Sequence, residues 1–542
     1  MPAGALFTLQ RVLLMVGLSV GVLSGALAAY RWSPTRRLLH LGLLFILLEL
    51  FYRFAYGGAV SSGILLAIPE TSEGETTELL AGHPFLTVGL TLVALLTIYA
   101  LIMSWRSQAR VSPKRCMQLG AVAISMILAS LAICWHQSSD ARQLRAVVLA
   151  EIQATYPFDI ATAMGGVSVG LIDAHRLAST RAAFEFPNVR DVNAASGAGD
   201  PEVYVVIIGE TSRRVNWSLF GYPRDTTPRL EAIKNDLVLF KHVTSNATNT
   251  ILSVPLALTR AAPATRGIAR SEKSVVSLLK QAGFKTLWIS NQARSDALSN
   301  PISQIAREAD YVSFTEDMPP HARLGGFDSN LLTRLDDRLA TLPESGKAVI
   351  FLHMEGSHFG YKERYPDAFA HFEGGRGATR VLPPREMRLV DEYDNSVYFT
   401  DYIVREVIDR LARRGGRAGL IFFSDHGERL FDNGLSDSDF GHGFPTISRE
   451  EIDIPLLLWL SSEYREANSA MVRRLEANTQ SVAQLHNLFE TIVDLTGIDY
   501  ANRDASLSLF SDELRSPNRL EVLNTDEETV ALPIDKFDLA RR

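Results

Sequence analysis

The chain has 542 residues, 46% of them hydrophobic, a mean hydropathy of +0.06 and a formal net charge of −7. That length exceeds one ordinary domain, and the acidic balance gives no footing for a nucleic-acid partner. Only two cysteines occur, Cys116 and Cys134, so the chain beyond them holds no disulfide and no thiolate metal site.

The apolar excess lies in the first 135 residues. Four stretches, about 12–30, 38–56, 84–105 and 117–135, approach the ~20 residues that cross a bilayer. Arg31, Arg36 and Arg37 fill the first connection, and Arg106, Arg110, Lys114 and Arg115 the third. The second, residues 57–83, has no Lys or Arg and carries Glu70, Glu73, Glu75 and Glu78. Positive charge stays on the cytoplasmic side, so the N-terminus, the acidic loop and everything after residue 135 are expected outside. A cleaved signal peptide ending near Ala29 is the competing reading; it would put both basic loops outside, against the charge bias. Glu49 and Arg53, at i,i+4 within the second stretch, suit a structural ion pair.

Residues 136–200 read as a linker, with an amphipathic piece at 144–156 and a glycine-rich apolar patch at 164–172 lying on the membrane surface. From Glu202 the pattern becomes strand, loop, helix. Strands are expected at 203–208, 286–290, 347–353, 419–423 and 455–460, and helices at 273–282, 329–341, 392–413 and 481–495. Apolar strands alternating with amphipathic helices predict a mostly parallel sheet sandwiched by helices over 201–542.

Two of these strands end in acids. Leu420–Phe423 runs into Ser424-Asp425-His426-Gly427-Glu428, and Val205–Ile208 into Gly209-Glu210-Thr211-Ser212-Arg213. An open α/β sheet holds its ligands beyond the carboxyl ends of its strands, and carboxylate and imidazole are zinc-type ligands. Taken singly, each acid also reads as a solvated turn. His353, His358 and His442 fall in loops of the same kind. Between them lies Thr244-Ser-Asn-Ala-Thr248-Asn-Thr250, followed by an apolar helical run. A hydroxyl there can meet the N-terminal dipole and N–H groups of a helix, or simply cap it, as Thr248 or Thr250 would.

These segments, with Phe220-Gly-Tyr-Pro-Arg-Asp-Thr-Thr-Pro228, Asn291-Gln292, His353-Met-Glu-Gly-Ser-His358 and Gly441-His442-Gly, resemble the membrane-bound phosphoethanolamine transferases of Gram-negative bacteria. Those enzymes belong to the alkaline phosphatase/sulfatase superfamily. The resemblance implies four metal-site residues, Glu210, Thr250, Asp425 and His426, around zinc, with Thr250 as nucleophile and a second metal optional. It implies His353, His358 and His442 as substrate-side or second-metal histidines, any of which could protonate the leaving oxygen and later deprotonate the acceptor hydroxyl, and Thr71, Glu75, Asn291 and Gln292 as substrate-binding residues. It implies a monomeric multi-pass protein of the bacterial inner membrane with a periplasmic catalytic domain. Phosphoethanolamine would pass from phosphatidylethanolamine through Thr250 to lipopolysaccharide core, lipid A or a periplasmic glucan.

The chain also departs from the pattern. Ala67 stands where lipid A-type members have Asn, Asn246 and Leu256 stand where a bracing cysteine pair is common, and one N-terminal span of the usual five is absent. These departures resemble members acting on core sugars or glucans. A hydrolase or a phosphoglycerol transferase of the same fold is the alternative activity. A formylglycine sulfatase is disfavoured because both cysteines lie in the apolar segment, and a non-catalytic scaffold would not need the four metal-site residues intact.

Overall fold

The structure, a computed structural model, describes residues 113–137, 180–192, 201–292, 300–318, 325–343, 346–434, 439–444, 446–525 and 527–534. They fall into two compact units, 1–170 and 171–542. In the first, helix α1 (Pro113–Gln137) covers residues 117–135, the stretch expected as a fourth span, and Met117, Val122, Ile124 and Leu128 on it are exposed. Among the described residues no helix is long and apolar enough to cross a membrane. The other three expected spans, Thr71, Glu75 and the pieces at 144–156 and 164–172 lie outside the described residues.

The second unit is built on a seven-stranded sheet. Its strands are β1 (Glu202–Gly209), β2 (Leu237–Phe240), β3 (Lys285–Ser290), β4 (Tyr311–Phe314), β5 (Lys347–His353), β6 (Arg417–Ser424) and β7 (Leu456–Leu460), in the order β2-β7-β6-β1-β5-β3-β4. Strand periodicity divides each central strand between two cores. Tyr204, Val206 and Ile208 of β1 face one apolar cluster, and Val203, Val205 and Ile207 face the other. Helices α2 (Thr250–Leu258), α3 (Val275–Gln281) and α6 (Leu488–Leu495) pack in the first cluster, and α4 (Ser329–Thr341) and α5 (Pro384–Arg414) in the second. Both faces are therefore covered, and this is why β1 and β6 are continuous apolar runs.

The sheet is mostly parallel, as expected, with one strand reversed: β7 runs antiparallel to both β6 and β2, with Leu456 opposite Phe423 and Phe240. After β6 the chain stays at the strands' carboxyl edge, where Arg429–Leu430 pairs with Phe440–Gly441, and it re-enters the sheet from that edge. A strand that starts where its neighbour ended must run the other way. The helix expected at 481–495 begins only at Leu488; Val482–Gln484 is a strand parallel to His242–Thr244. Asn487 Oδ1 accepts the Gln484 N–H and closes a turn between the two. Finally β2 and β4, four residues each at the two sheet edges, carry too short a pattern to stand out in the sequence.

Two braces hold the loops above the sheet. Asn246 Oδ1 accepts the His486 backbone N–H at 2.9 Å and lies 3.1 Å from its Nδ1, while Asn246 Nδ2 donates to the Glu521 carbonyl at 3.0 Å. Leu256 packs with Ala247, Ala261 and Leu523. The two positions where the resemblance has cysteines thus carry an amide link and an apolar contact. In the loop after β1, Arg224 donates to Asp394 at 2.7 Å and Asp391 at 2.6 Å, both on α5, and Tyr222 and Asn216 also donate to Asp394. This explains the Phe220–Pro228 motif as a clamp between the loop and α5. Arg224→Ala would leave two buried carboxylates without their cation and is expected to cost ~3–5 kcal/mol. A thermal melt of the purified protein checks it, and an unchanged midpoint would deny the clamp.

Candidate active site

The register of the sheet builds the site. Gly209 of β1 lies opposite Ser424 of β6, so the next residues, Glu210 and Asp425, emerge side by side at the carboxyl edge. Asp425 N–H donates to the Gly209 carbonyl at 3.1 Å, and Asp425 Oδ1 accepts the N–H groups of Thr211 (3.0 Å) and His426 (2.7 Å). Glu210 accepts from Thr211 Oγ1 at 2.6 Å and from Gln292 Nε2 at 2.8 Å. Gly356, at φ +52, lies against the Glu210 backbone; a Cβ there would meet the Glu210 carbonyl oxygen at 2.7 Å. A Cβ on Gly427 would approach the Glu450 carbonyl oxygen to 2.1 Å, so only glycine fits beside His426.

Thr250 opens α2. Asn249, not Thr248 or Thr250, is the N-cap, its side chain accepting the Leu252 N–H. The Thr250 hydroxyl is thereby left to face the carboxylates: Oγ1 is 3.1 and 3.2 Å from the two Glu210 oxygens and 3.3 Å from His426 Nε2. His426 Nδ1–H donates to the Gly427 carbonyl at 2.8 Å, which turns Nε2 toward Glu210 (3.3 Å) and Asp425 (3.5 Å). One oxygen or nitrogen each from Glu210, Asp425 and His426 lies within 4.8 Å of the others, and Asp425 Oδ2 is buried without a hydrogen-bond partner.

The electrostatics call for a cation at this point. Burial raises the Asp425 carboxyl to about 7, and the neighbouring Glu210 charge adds to the rise. Burial opposes charge on His426, yet Asp425 and Glu210 raise it to about 10. Burial likewise works against the Glu210 carboxylate, but His426 holds it below the usual range. Two adjacent buried carboxylates thus draw a positive charge onto the one imidazole between them. A divalent ion supplies that charge more fully, and a donor set of two carboxylates, an imidazole and a hydroxyl fits zinc.

The histidines separate. His442 packs 4.3 Å, ring to ring, from His426, and His358 lies 5.9 Å from His442, so these three form a row. His353 stands apart: it is buried edge-on against Trp288, its Nδ1 is 3.4 Å from Ser290 Oγ, and its Nε2 has no hydrogen-bond partner. Gln292 holds Glu210 and the Met354 carbonyl through one nitrogen. The Asn291 amide is taken up by Gly326, Asp328 and Thr315. Sequence reasoning left Thr211, Tyr393, Tyr361 and Glu428 without roles. Thr211 sits at φ +55, rare for a β-branched residue, and Tyr393 pins it by donating to its carbonyl and accepting the Arg213 N–H. Glu428 was visible as an acid two residues past His426, but nothing in the sequence paired it with His442.

A mixed sheet with an acid–imidazole cluster and a helix-borne hydroxyl at its carboxyl edge defines a sulfatase-type α/β enzyme domain. The family model "Sulfatase" matches residues 202–498, and the chain belongs to that family. Several of its relatives are named phosphoethanolamine transferases. Phosphoethanolamine transferase EptC of Escherichia coli K12 is 26% identical over 484 residues, covering 87% of this chain and 81% of that protein. EptA of Salmonella typhimurium LT2 is 28% identical over 474 residues, covering 83% and 80%. Among solved structures, the C-terminal periplasmic domain of E. coli EptC in complex with zinc aligns with a TM-score of 0.59 at 27% identity, over 65% of this chain and 96% of that one. The integral membrane lipooligosaccharide phosphoethanolamine transferase A of Neisseria meningitidis shares the fold, with a TM-score of 0.66 at 23% identity over 86% of each chain.

Burial depresses the His353 pKa to about 4, below the ~6.5 of an unfolded histidine. Between those values the unfolded chain binds the extra proton, so this contribution is complete above ~6.5 and shrinks as pH falls toward 4. Its full size is about 3 kcal/mol. Melts from pH 7 to 4.5 are expected to show a flatter loss of stability in His353→Gln than in the wild type; parallel curves would mean that His353 titrates normally.

Proposed function

We propose that the protein transfers phosphoethanolamine from phosphatidylethanolamine to a glycan of the cell envelope (lipopolysaccharide core, lipid A or a periplasmic glucan) through a covalent intermediate on Thr250. The observation that carries this reading is the Thr250 hydroxyl at the start of α2, within 3.3 Å of Glu210 and His426. The names of the relatives support the transferred group. Glu210, Asp425, His426 and Thr250 would hold one zinc ion. Bound there, zinc would ease ionisation of the threonine hydroxyl and offset charge on the phosphoryl oxygens.

Thr250 Oγ1, its proton passing to a neighbouring base, bonds to phosphorus as the bond from phosphorus to the diacylglycerol oxygen breaks. His358 or His442 delivers a proton to that departing oxygen. In the second half the same histidine takes the proton of the acceptor hydroxyl. That oxygen then bonds to phosphorus as the bond to Thr250 breaks, and Thr250 Oγ1 takes back the proton it gave to the neighbouring base. Gln292 and Thr211 keep Glu210 aimed at Thr250 throughout. His353, neutral and buried, serves as packing in this scheme.

The reading places residues 1–135 in the bacterial inner membrane as four spans, with 201–542 in the periplasm. Two solved relatives, one a periplasmic domain and one an integral membrane protein, support that placement. Thr250→Ala is expected to abolish diacylglycerol release from a fluorescent phosphatidylethanolamine without moving the melting midpoint. Asp425→Ala should lower the zinc content of the protein, measured by mass spectrometry of the metal. Near-normal turnover by Thr250→Ala would sink the nucleophile assignment. Mass spectrometry of lipid A, core oligosaccharide and glucans, with and without the gene, identifies the acceptor; release of free phosphoethanolamine to water alone would make the protein a hydrolase.

In the same scheme Thr71 and Glu75, four residues apart in the acidic loop, receive the lipid headgroup, with Glu75 pairing to its ammonium. A charge-assisted contact of ~1.5–3 kcal/mol corresponds to a roughly ten- to hundred-fold effect. Glu75→Gln should depress transfer from the lipid by that factor and spare slow turnover of a small soluble phosphodiester. Equal loss of both activities would remove Glu75 from headgroup recognition.

A further inference from the structure

His442 reaches the site by an unusual route. It follows the two-residue strand Phe440–Gly441, whose antiparallel partner is Arg429–Leu430. Gly441 pairs with Arg429, so the next step of the register sets His442 opposite Glu428. Glu428 is fully buried, and its Oε1 lies 3.0 Å from His442 Nδ1. A carboxylate can only accept, so Nδ1 carries the proton and donates it. The other oxygen, Oε2, accepts the hydroxyl of Tyr361 at 2.9 Å. Tyr361 is itself buried, packed edge-on against Tyr393 at 5.1 Å, the residue that pins Thr211. The Glu428 backbone is fixed too: its N–H donates to the Glu450 carbonyl, and its carbonyl accepts from Arg213 Nη1.

We propose that Glu428, held by Tyr361, is a positioning residue that fixes the ring orientation and the Nδ1–H tautomer of His442, leaving Nε2 as the nitrogen that meets the substrate oxygen. A ring flipped by half a turn would put a C–H against Glu428 Oε1 and lose the bond. The other tautomer would set a lone pair against the carboxylate. Both are penalised by the same buried oxygen, and burial of Glu428 makes the penalty larger than it would be in water. Tyr361 belongs to the short helical turn Tyr361–Arg364, and Arg364 of that turn donates to the His358 and Phe359 carbonyls. One turn therefore steadies both histidines that flank the metal-site residues. The arrangement is that of the carboxylate that orients a catalytic imidazole, and it makes Glu428 a residue that acts only through His442.

This inference rests on the transferase reading for its kinetic test, and the spectroscopic test stands without it. In the full-length protein in detergent micelles, long-range 15N–1H spectra of selectively labelled histidine, with the His442 signal assigned by its loss in His442→Gln, should show a protonated Nδ1. Glu428→Ala should redistribute the proton toward Nε2. With fluorescent phosphatidylethanolamine, Glu428→Ala should lower kcat roughly 10- to 100-fold with KM little changed, the usual cost of losing an outer-shell partner. Glu428→Gln, which keeps an accepting oxygen, should recover most of that loss, and Tyr361→Phe should lose less than Glu428→Ala. Glu428→Ala added to His442→Ala should cost nothing further. A wild-type His442 protonated at Nε2, or additive losses in the double variant, would overturn the proposal. A wild-type protein that releases no diacylglycerol, yet shows the expected tautomer, would overturn the transferase reading alone.

Discussion

Two carboxylates, Glu210 and Asp425, are brought together by strand register and buried where water cannot screen them. Their repulsion is the constraint on which the rest of the site depends. It is met partly by hydrogen bonds, from Thr211, Gln292 and the backbone at His426, and partly by drawing positive charge onto His426. Neither suffices alone: hydrogen bonds to a carboxylate contribute ~1.5–3 kcal/mol each, against a desolvation penalty of several kcal/mol per buried ion. A site with this imbalance is poised for a divalent cation, whose own charge, once bound, would favour the ionised form of a hydroxyl placed beside it.

The surrounding structure keeps that repulsion from pushing the strands' ends apart. Thr211 is held at a positive φ between the two acids, bonded to one through its hydroxyl and to the other through its N–H. Tyr393 on α5 anchors the far side of that turn, and the Arg224 clamp fixes the next loop to the same helix. A strained residue costs on the order of 1–3 kcal/mol. Here it is over-determined by three separate bonds. The helix that covers one face of the sheet thus also sets the geometry at its edge.

The core of this arrangement was legible because the chemistry and the period coincide. Apolar runs ending in Glu210 and in Ser424-Asp425-His426 announced both strands and both acids, and the hydroxylic run around Thr250 announced a helix start. Physical distance was not legible. Nothing in the spacing separates His353, which packs against Trp288, from His358 and His442, which form a row with His426. Asn291 and Gln292 are neighbours with different fates, one absorbed in the loop network and one bonded to Glu210. The reversal of β7 escaped notice because direction depends on which edge the chain re-enters, and apolar pattern carries no direction. Short edge strands such as Leu237–Phe240 offered too few residues for a period to show.

The link at Asn246 bears on how the protein is made. It joins three chain segments through hydrogen bonds made by one amide, at one of the two positions where the resemblance has cysteines. Because the chain has no cysteine after Cys134, the catalytic unit reaches its native form without any thiol oxidant. Its stability is therefore independent of disulfide-forming machinery, and reductants that disable oxidatively stapled enzymes would leave it intact.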